Sequence, residues 1–167
     1  MMSLNNFDPY VGLPASAPPP LARKLGYAGL IPFVLLAALL WTVRADVQAW
    51  VAIALVAYAA SIASFLGAIH WGLAQRLAFL QDDVQNGNNA ARIRFHYIWG
   101  VTPSLMAWLA AIIPAYAGLP LLGLILSACY LVDRRTYAGA GMALWLPMRL
   151  QLTVVAVLSC LLGAATA

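Results

Sequence analysis

The sequence predicts an all-α integral membrane protein built as a bundle of five transmembrane helices. Of its 167 residues, 64% are hydrophobic and only 8% are charged, whereas soluble domains carry about 25% charged residues. Its uncharged runs approach the roughly 20 residues that a helix needs to cross a bilayer. The nine Lys and Arg residues lie singly or in pairs at the ends of these runs. The composition excludes a water-soluble globule, and the scattered basic residues favour topology signals over a nucleic-acid-binding surface.

The uncharged runs favour helices over a transmembrane barrel. In hydrocarbon every backbone N–H and C=O must be paired inside the protein, and a helix does this within one segment. A barrel would instead show strands of about ten residues with alternating hydrophobicity, separated by polar turns. That alternation is absent from the sequence, so we expect helices throughout the membrane domain, residues 25–167.

The chain begins with a proline-rich segment. Residues 1–24 hold several prolines and no apolar run, so we expect a flexible cytoplasmic tail. The first span is predicted at 25–43, where 19 uncharged residues correspond to about 30 Å of helix. Pro32 lacks an N–H and should kink this helix near its cytoplasmic end. Because no small-residue cleavage site follows, the span should remain as an anchor.

The second and third spans flank a polar connection. The longest uninterrupted run predicts the second span at 49–75, long enough to cross with tilt. Residues 86–89, Asn-Gly-Asn-Asn, give the strongest turn signal in the chain, which places the connection in water. The third span is predicted at 97–116.

The fourth span is short and the fifth is regular. Residues 117–120, Ala-Gly-Leu-Pro, predict a tight turn, followed by a span at 119–137. Only 14 uncharged residues precede Asp133, a length that also fits a re-entrant segment. A full crossing would place Asp133 and the two following arginines in the headgroup layer. The fifth span is predicted at 148–166.

The distribution of basic residues predicts the orientation. Cytoplasmic loops carry an excess of Lys and Arg, and five crossings divide the nine basic residues eight to one. The N-terminus is therefore predicted in the cytoplasm and the C-terminus in the periplasm. The eight are Arg23, Lys24, Arg76, Arg92, Arg94, Arg134, Arg135 and Arg149, and the ninth is Arg44.

Small residues predict where helices pack. Lipid tails are as apolar as leucine, so close backbone approach rather than the hydrophobic effect drives helix association in membranes. The second span carries two rows of small residues at four-residue spacing, which predict a central position in the bundle. The rows are Ala60, Ser64, Ala68, Gly72 and Ala59, Ala63, Gly67.

A polar cluster on the second span is the first candidate site. Ser61, Ser64 and His70, followed by Trp71, lie in an otherwise apolar helix. The structural interpretation is that His70 bonds a carbonyl or hydroxyl of a neighbouring helix. The functional alternative is contact with a ligand or a quinone.

The other ionisable residues on this membrane face offer further alternatives. His96 opens the third span, and the two histidines with dispersed carboxylates could hold a metal or haem, but no zinc-type spacing is present. Hydrolytic chemistry would need a buried carboxylate near His70, and the candidate is Asp133. Because two arginines follow Asp133 directly, an interfacial salt bridge is the favoured interpretation. No catalytic residue and no metal ligand is therefore predicted.

Several stretches resemble one family. They are LGYAGLIPF from Leu25, SFLGAIHWG from Ser64, TPSLMAW from Thr102, the lone Asp133, and LPMRLQLT from Leu146. Together they resemble the small bacterial inner-membrane proteins related to mitochondrial transmembrane protein 69, a family of unknown function. The resemblance implies a multi-pass inner-membrane location and no established reaction. The positions that it emphasises are Gly67, His70, Trp71, Gly72, Asp133 and Arg149.

These observations predict a non-catalytic accessory or assembly protein of a larger respiratory or photosynthetic inner-membrane complex. Ion-coupled transporters place ionisable groups inside their spans and show inverted repeats, and neither pattern is visible. The alternative is a small oligomeric transporter or channel with a path near Ser61, Ser64 and His70. A redox or haem-linked enzyme is a third hypothesis. We expect contacts with lipid and with other membrane subunits, no nucleic acid, and no cofactor, with haem or quinone contact as the alternative.

Overall fold

The structure, a computed structural model, describes residues 17–80 and 87–166. Within these residues, the regular elements are helices. They are α1 (Pro20–Ala28), α2 (Leu30–Leu40), α3 (Ala45–Leu80), α4 (Gly87–Ile112), α5 (Ala115–Thr136), a short 3₁₀ turn (Ala143–Trp145) and α6 (Leu146–Ala164). The all-helical prediction is confirmed.

The first predicted span is two helices joined at Gly29. Pro32 has no N–H to bond the carbonyl four residues earlier, and its ring crowds that carbonyl; α1 ends at Ala28, which is that residue. The helix is therefore interrupted where Pro32 removes a hydrogen bond. The predicted tail is shorter than expected, because α1 already begins at Pro20, a residue type well suited to the first turn. Residues 1–16 of that tail lie outside the described residues.

Helices α3 and α4 form an antiparallel pair. Later residues of α3 meet earlier residues of α4: Gly67 lies against Gly100, and His70 lies against His96. A Cβ on Gly67 would collide with the Gly100 carbonyl oxygen, so the two backbones touch at this crossing. Small residues allow such close approach of membrane helices. The centre of the bundle is therefore set by a glycine crossing.

The junction between α4 and α5 differs from the prediction. The expected turn at 117–120 is wrong: α4 ends at Ile112, Pro114 precedes the new helix, and Pro120 lies inside α5. Membrane helices tolerate an internal proline when neighbours satisfy the freed backbone groups. Helix α5 thus gains residues at its start, and its uncharged part becomes long enough to remove the need for a re-entrant segment.

The remaining boundaries shift by a few residues. Helix α3 extends past both ends of the predicted 49–75 span, and α4 begins at Gly87 rather than at 97. The turn expected at 86–89 is wrong for 87–89, which are helical, while residues 81–86 lie outside the described residues. Helix α6 begins two residues before the predicted fifth span.

Four segments of the described chain are long and apolar enough to cross a membrane. They are Pro20–Leu40, Ala45–Phe79, Ala115–Thr136 and Ala143–Ala164. Helix α4 is not among them, since Arg92, Arg94 and His96 occupy its first half. The number of five crossings and the orientation of the termini remain predictions.

Candidate functional site: a buried polar chain beside an apolar cavity

Four polar side chains from four helices meet at one end of the bundle. They are His70 of α3, His96 of α4, Asp133 of α5 and Arg149 of α6, and each is at most 6% exposed. Ionisable groups inside a membrane protein are costly and commonly mark functional positions. This set, which we call the polar chain, is therefore the candidate functional site.

The polar chain is continuous. His70 Nδ1 lies 2.9 Å from His96 Nδ1, and His70 Nε2 lies 3.1 Å from Asp133 Oδ1. The other carboxylate oxygen, Oδ2, accepts from Arg149 Nε at 2.9 Å and from Arg149 Nη2 at 2.5 Å. Asp133 is thus the central acceptor, and it compensates the charge of Arg149 with a charge-assisted pair.

Geometry assigns the protons of the two imidazoles when both are neutral. A carboxylate only accepts hydrogen bonds, so His70 must donate through Nε2 and its Nδ1 must accept. His96 then donates through Nδ1 and keeps an unprotonated Nε2. One proton therefore lies in the hydrogen bond between the two rings. When His96 Nε2 takes up a second proton, protons can be transferred along the existing hydrogen bonds, from His96 to His70 and from His70 to Asp133.

Aromatic rings and glycines hold the polar chain in place. The indole of Trp99 lies edge-on to His70 with ring centroids 6.5 Å apart, and the two imidazoles stack at 5.1 Å. Trp71, one residue after His70, donates from Nε1 to the Tyr97 carbonyl at 3.1 Å. Its ring lies against Gly100, where a Cβ would collide with it. The α3–α4 crossing thus fixes His70 and His96 at hydrogen-bonding distance.

An apolar cavity of about 530 Å³ lies beside the polar chain. Its walls come from α1, α2, α3, α5 and α6, and its surface is almost entirely hydrocarbon. Arg149 lines it together with Tyr137 and Trp145, whereas Phe33 and Ala156 line it farther along α2 and α6. The cavity therefore has a polar end and an apolar remainder.

The structure brings together only part of the predicted site. His70, Asp133 and Arg149 join the polar chain, and Gly67 and Trp71 form the crossing that supports it. Ser61 lies exposed on the opposite side of α3 from His70, and its hydroxyl bonds its own helix at the Ala57 carbonyl.

Two other predicted residues also lie away from the polar chain. Ser64 is half-buried and bonds the Ala60 carbonyl. Gly72 is exposed, with nothing within 4 Å of the position of a Cβ. A common path along Ser61, Ser64 and His70 is therefore not formed within this chain.

Two interpretations of single residues are corrected. Asp133 does not form an exposed pair with the arginines that follow it; it is 1% exposed and pairs with Arg149. His70 bonds a histidine and a carboxylate rather than a carbonyl or hydroxyl. Among the described residues, no group of three or more His, Cys, Asp or Glu side chains is arranged to hold a metal ion.

Comparisons with known proteins identify a family and one similar protein, and neither name states an activity. Residues 18–165 match the family described as protein of unknown function (DUF3429). The chain is 41% identical over 149 residues to "Transmembrane protein 69" of Xenopus tropicalis. That alignment covers 86% of this chain and 53% of the relative, so the chain spans about half the length of the curated relative that it matches. No solved structure matches the chain.

Proposed function

This chain belongs to the DUF3429 family, and from its structure we propose that it is a non-catalytic accessory or assembly protein of a larger inner-membrane complex. It docks through one face of α3 against a transmembrane helix of another integral membrane protein. We place it in the bacterial inner membrane; the 41% identity to "Transmembrane protein 69" supports a membrane location.

The observation that carries the proposal is a stripe of small residues on the outer side of α3, flanked by the exposed rings of Phe65 and Trp71. Small residues continue along one helical stripe on the outside of the bundle, from Ala54 to Gly72, a rise of about 27 Å that matches the hydrocarbon thickness. We call it the small-residue face; its members are Ala54, Ala57, Ser61, Ser64, Ala68 and Gly72, all exposed except half-buried Ser64.

The small-residue face is distinct from the row used inside the bundle. Ala59, Ala63 and Gly67 are buried against other helices. Elsewhere the lipid-facing surface carries large side chains, such as Leu105, Trp108 and Leu124. Lipid contact gives no reason for small residues, whereas a packed helix does. Because the Ser61 and Ser64 hydroxyls bond their own helix, the face is also free of polar obstacles.

The depth of α4 supports five crossings in the docked protein. His96 of α4 lies level with His70 and Asp133, and Gly118, just after the start of α5, packs on Ala110 near the far end of α4. Helix α4 therefore extends through the same layer as its neighbours, although its polar first half lowers its mean hydropathy. With five crossings the basic residues divide as predicted, and the N-terminus is cytoplasmic.

The proposal is tested by isolating the tagged protein from its native membranes in mild detergent. We expect other integral membrane proteins to co-purify, and Ala68→Leu to lower their yield by about tenfold because the added side chain separates the two backbones. The matched control is Ala111→Leu, which enlarges an exposed alanine of α4 and should leave the yield unchanged. Recovery of the wild-type protein as a monomer, or as an assembly of this chain alone, would overturn the proposal.

A further inference from the structure

We propose that the apolar cavity binds one acyl chain of an anionic phospholipid, with the phosphate beside Arg23 and Lys24. The inference concerns the cavity formed by α1, α2, α3, α5 and α6 and does not rest on the docking proposal. It rests on the size, opening and lining of the cavity and on the exposed basic residues of α1.

The cavity has the dimensions of a ligand site. At about 530 Å³ it falls within the 300–1,000 Å³ typical of pockets for small molecules. The space is open on one side rather than enclosed, so molecules of the surrounding bilayer can enter it. A hydrocarbon surface offers no polar partners to hold water, and the occupant is therefore apolar over most of its length.

The opening of the cavity faces the bilayer. Among its lining residues, Leu25 of α1 and Phe65 of α3 are 63% and 64% exposed, so the mouth lies between these two helices on the lipid-facing side. Tyr27 Oη donates to Gln151 Oε1 at 2.5 Å and ties α1 to α6 behind the mouth. An occupant enters sideways from the lipid layer, and the lipid layer supplies acyl chains.

The exposed basic residues of α1 favour an anionic headgroup. Arg23 and Lys24 are next in sequence to Ala22 and Leu25, which line the cavity, but are not lining residues themselves, so they would meet a phosphate that stays outside the cavity. Among the described residues no acidic side chain occurs between residue 17 and Asp46, and Asp133, whose partner Arg149 lines the cavity, is already paired. Basic pockets between transmembrane helices on the cytoplasmic side bind anionic headgroups, so these basic residues favour an anionic lipid over a zwitterionic one.

Native mass spectrometry of the detergent-purified full chain, titrated with phosphatidylglycerol or phosphatidylcholine of equal chain length, tests the inference. We expect phosphatidylglycerol to be retained about tenfold more strongly. The double variant Arg23→Gln and Lys24→Gln should reduce its retention to the level of phosphatidylcholine. Gly26→Leu should reduce retention of both lipids, because the larger side chain would extend from the α1 wall into the cavity beside Met148 and Leu152 of α6.

Matched variants separate the site from general lipid contact. Arg44→Gln removes an exposed charge that pairs with Asp46, and Ala111→Leu enlarges an exposed alanine of α4; both should retain phosphatidylglycerol as the wild type does. Equal retention of the two lipids by the wild type would overturn the inference. So would an equal loss in Arg44→Gln, unchanged binding in Gly26→Leu, or the recovery of a neutral isoprenoid as the native occupant. The exposed charge variants keep the test valid if Gly26→Leu does not fold.

Discussion

Asp133 is the residue on which the polar chain depends. It accepts from His70 on one oxygen and from Arg149 on the other, and both partners are buried. Burial makes each ion expensive to desolvate, so a pair of this kind adds little net stability, yet loss of one partner leaves an uncompensated charge. The stability of this end of the bundle is therefore more sensitive to single substitutions here than to simultaneous replacement of the pair.

Replacing Asp133 with Asn should destabilise the protein strongly. The variant leaves Arg149 charged and buried without its carboxylate, a change that costs about 3–5 kcal/mol in soluble proteins. The measurement is thermal unfolding in mild detergent, followed by circular dichroism. The double variant Asp133→Leu and Arg149→Met should recover most of the loss, because it removes both charges together.

The control for Asp133→Asn is Arg44→Gln. Arg44 and Asp46 form an exposed pair, and exposed pairs contribute about 0–1 kcal/mol, so this variant should unfold close to the wild type. An Asp133→Asn protein as stable as Arg44→Gln would contradict the structural role assigned to Asp133.

The sequence identified most members of the polar chain but not their contacts. His70, His96 and Asp133 were placed on one membrane face, and Arg149 was placed at the start of its span, because each lies near the same end of a predicted helix. Their depth follows from counting residues, but the direction in which each side chain points does not. An interfacial salt bridge of Asp133 was expected because two arginines follow it in sequence, whereas its partner, Arg149, is sixteen residues away on α6.

At the scale of single helices, glycine sets how closely α3 and α4 approach. Gly67 and Gly100 lie against each other's backbone, and the crossing lies one helical turn from the bond between His70 and His96. Any side chain at this crossing must push the helices apart. The hydrogen bonds of the polar chain therefore depend on two residues that carry no functional groups.

Gly67→Ala should destabilise the bundle, although alanine is the better helix former by about 1 kcal/mol. Its Cβ would meet the Gly100 carbonyl, which is backbone and does not rotate away; overpacking of this kind costs about 1–3 kcal/mol. The matched control is Gly72→Ala on the same helix, where a Cβ meets nothing within 4 Å. Thermal unfolding of the two variants side by side checks the prediction, which fails if they unfold alike.

Glycine and proline also show which structural features the sequence pattern does not determine: the burial of a small residue and the position of a helix end. The two rows of small residues on α3 have the same spacing, and the sequence alone did not tell that Gly67 is buried and Gly72 exposed. Pro114 and Pro120 pose the same problem, since the first precedes a helix and the second lies inside it. A proline interrupts a membrane helix only if its surroundings leave the freed carbonyl unsatisfied, and surroundings are a property of the folded bundle.

At the scale of the whole molecule, the bundle is polar at one end and apolar at the other. The polar chain joins α3, α4, α5 and α6 at a single level, whereas Gly163 of α6 packs against Leu40, Leu55 and Leu119 at the other end. Eight of the nine basic residues are predicted at the polar end, which under the positive-inside rule faces the cytoplasm. The buried charges thus lie at the end of the bundle where most basic residues are predicted, and the side of the membrane that this end faces remains a prediction.

The five-crossing topology predicts which loops face the periplasm and which face the cytoplasm. The crossing in question is that of α4, and cysteine labelling tests it. Cysteines introduced as Thr42→Cys and Ile113→Cys should both react with a membrane-impermeant maleimide added outside intact cells, whereas Gly139→Cys should react only after permeabilisation. The two native cysteines, Cys129 and Cys160, are buried and should give little background. If α4 did not cross, Gly139 would label from outside together with Thr42 and Ile113 would label only after permeabilisation, because one fewer crossing reverses the side of every segment after α4. That pattern would leave four crossings, place both ends of the chain on the same side, and remove the eight-to-one division of basic residues that supports the orientation.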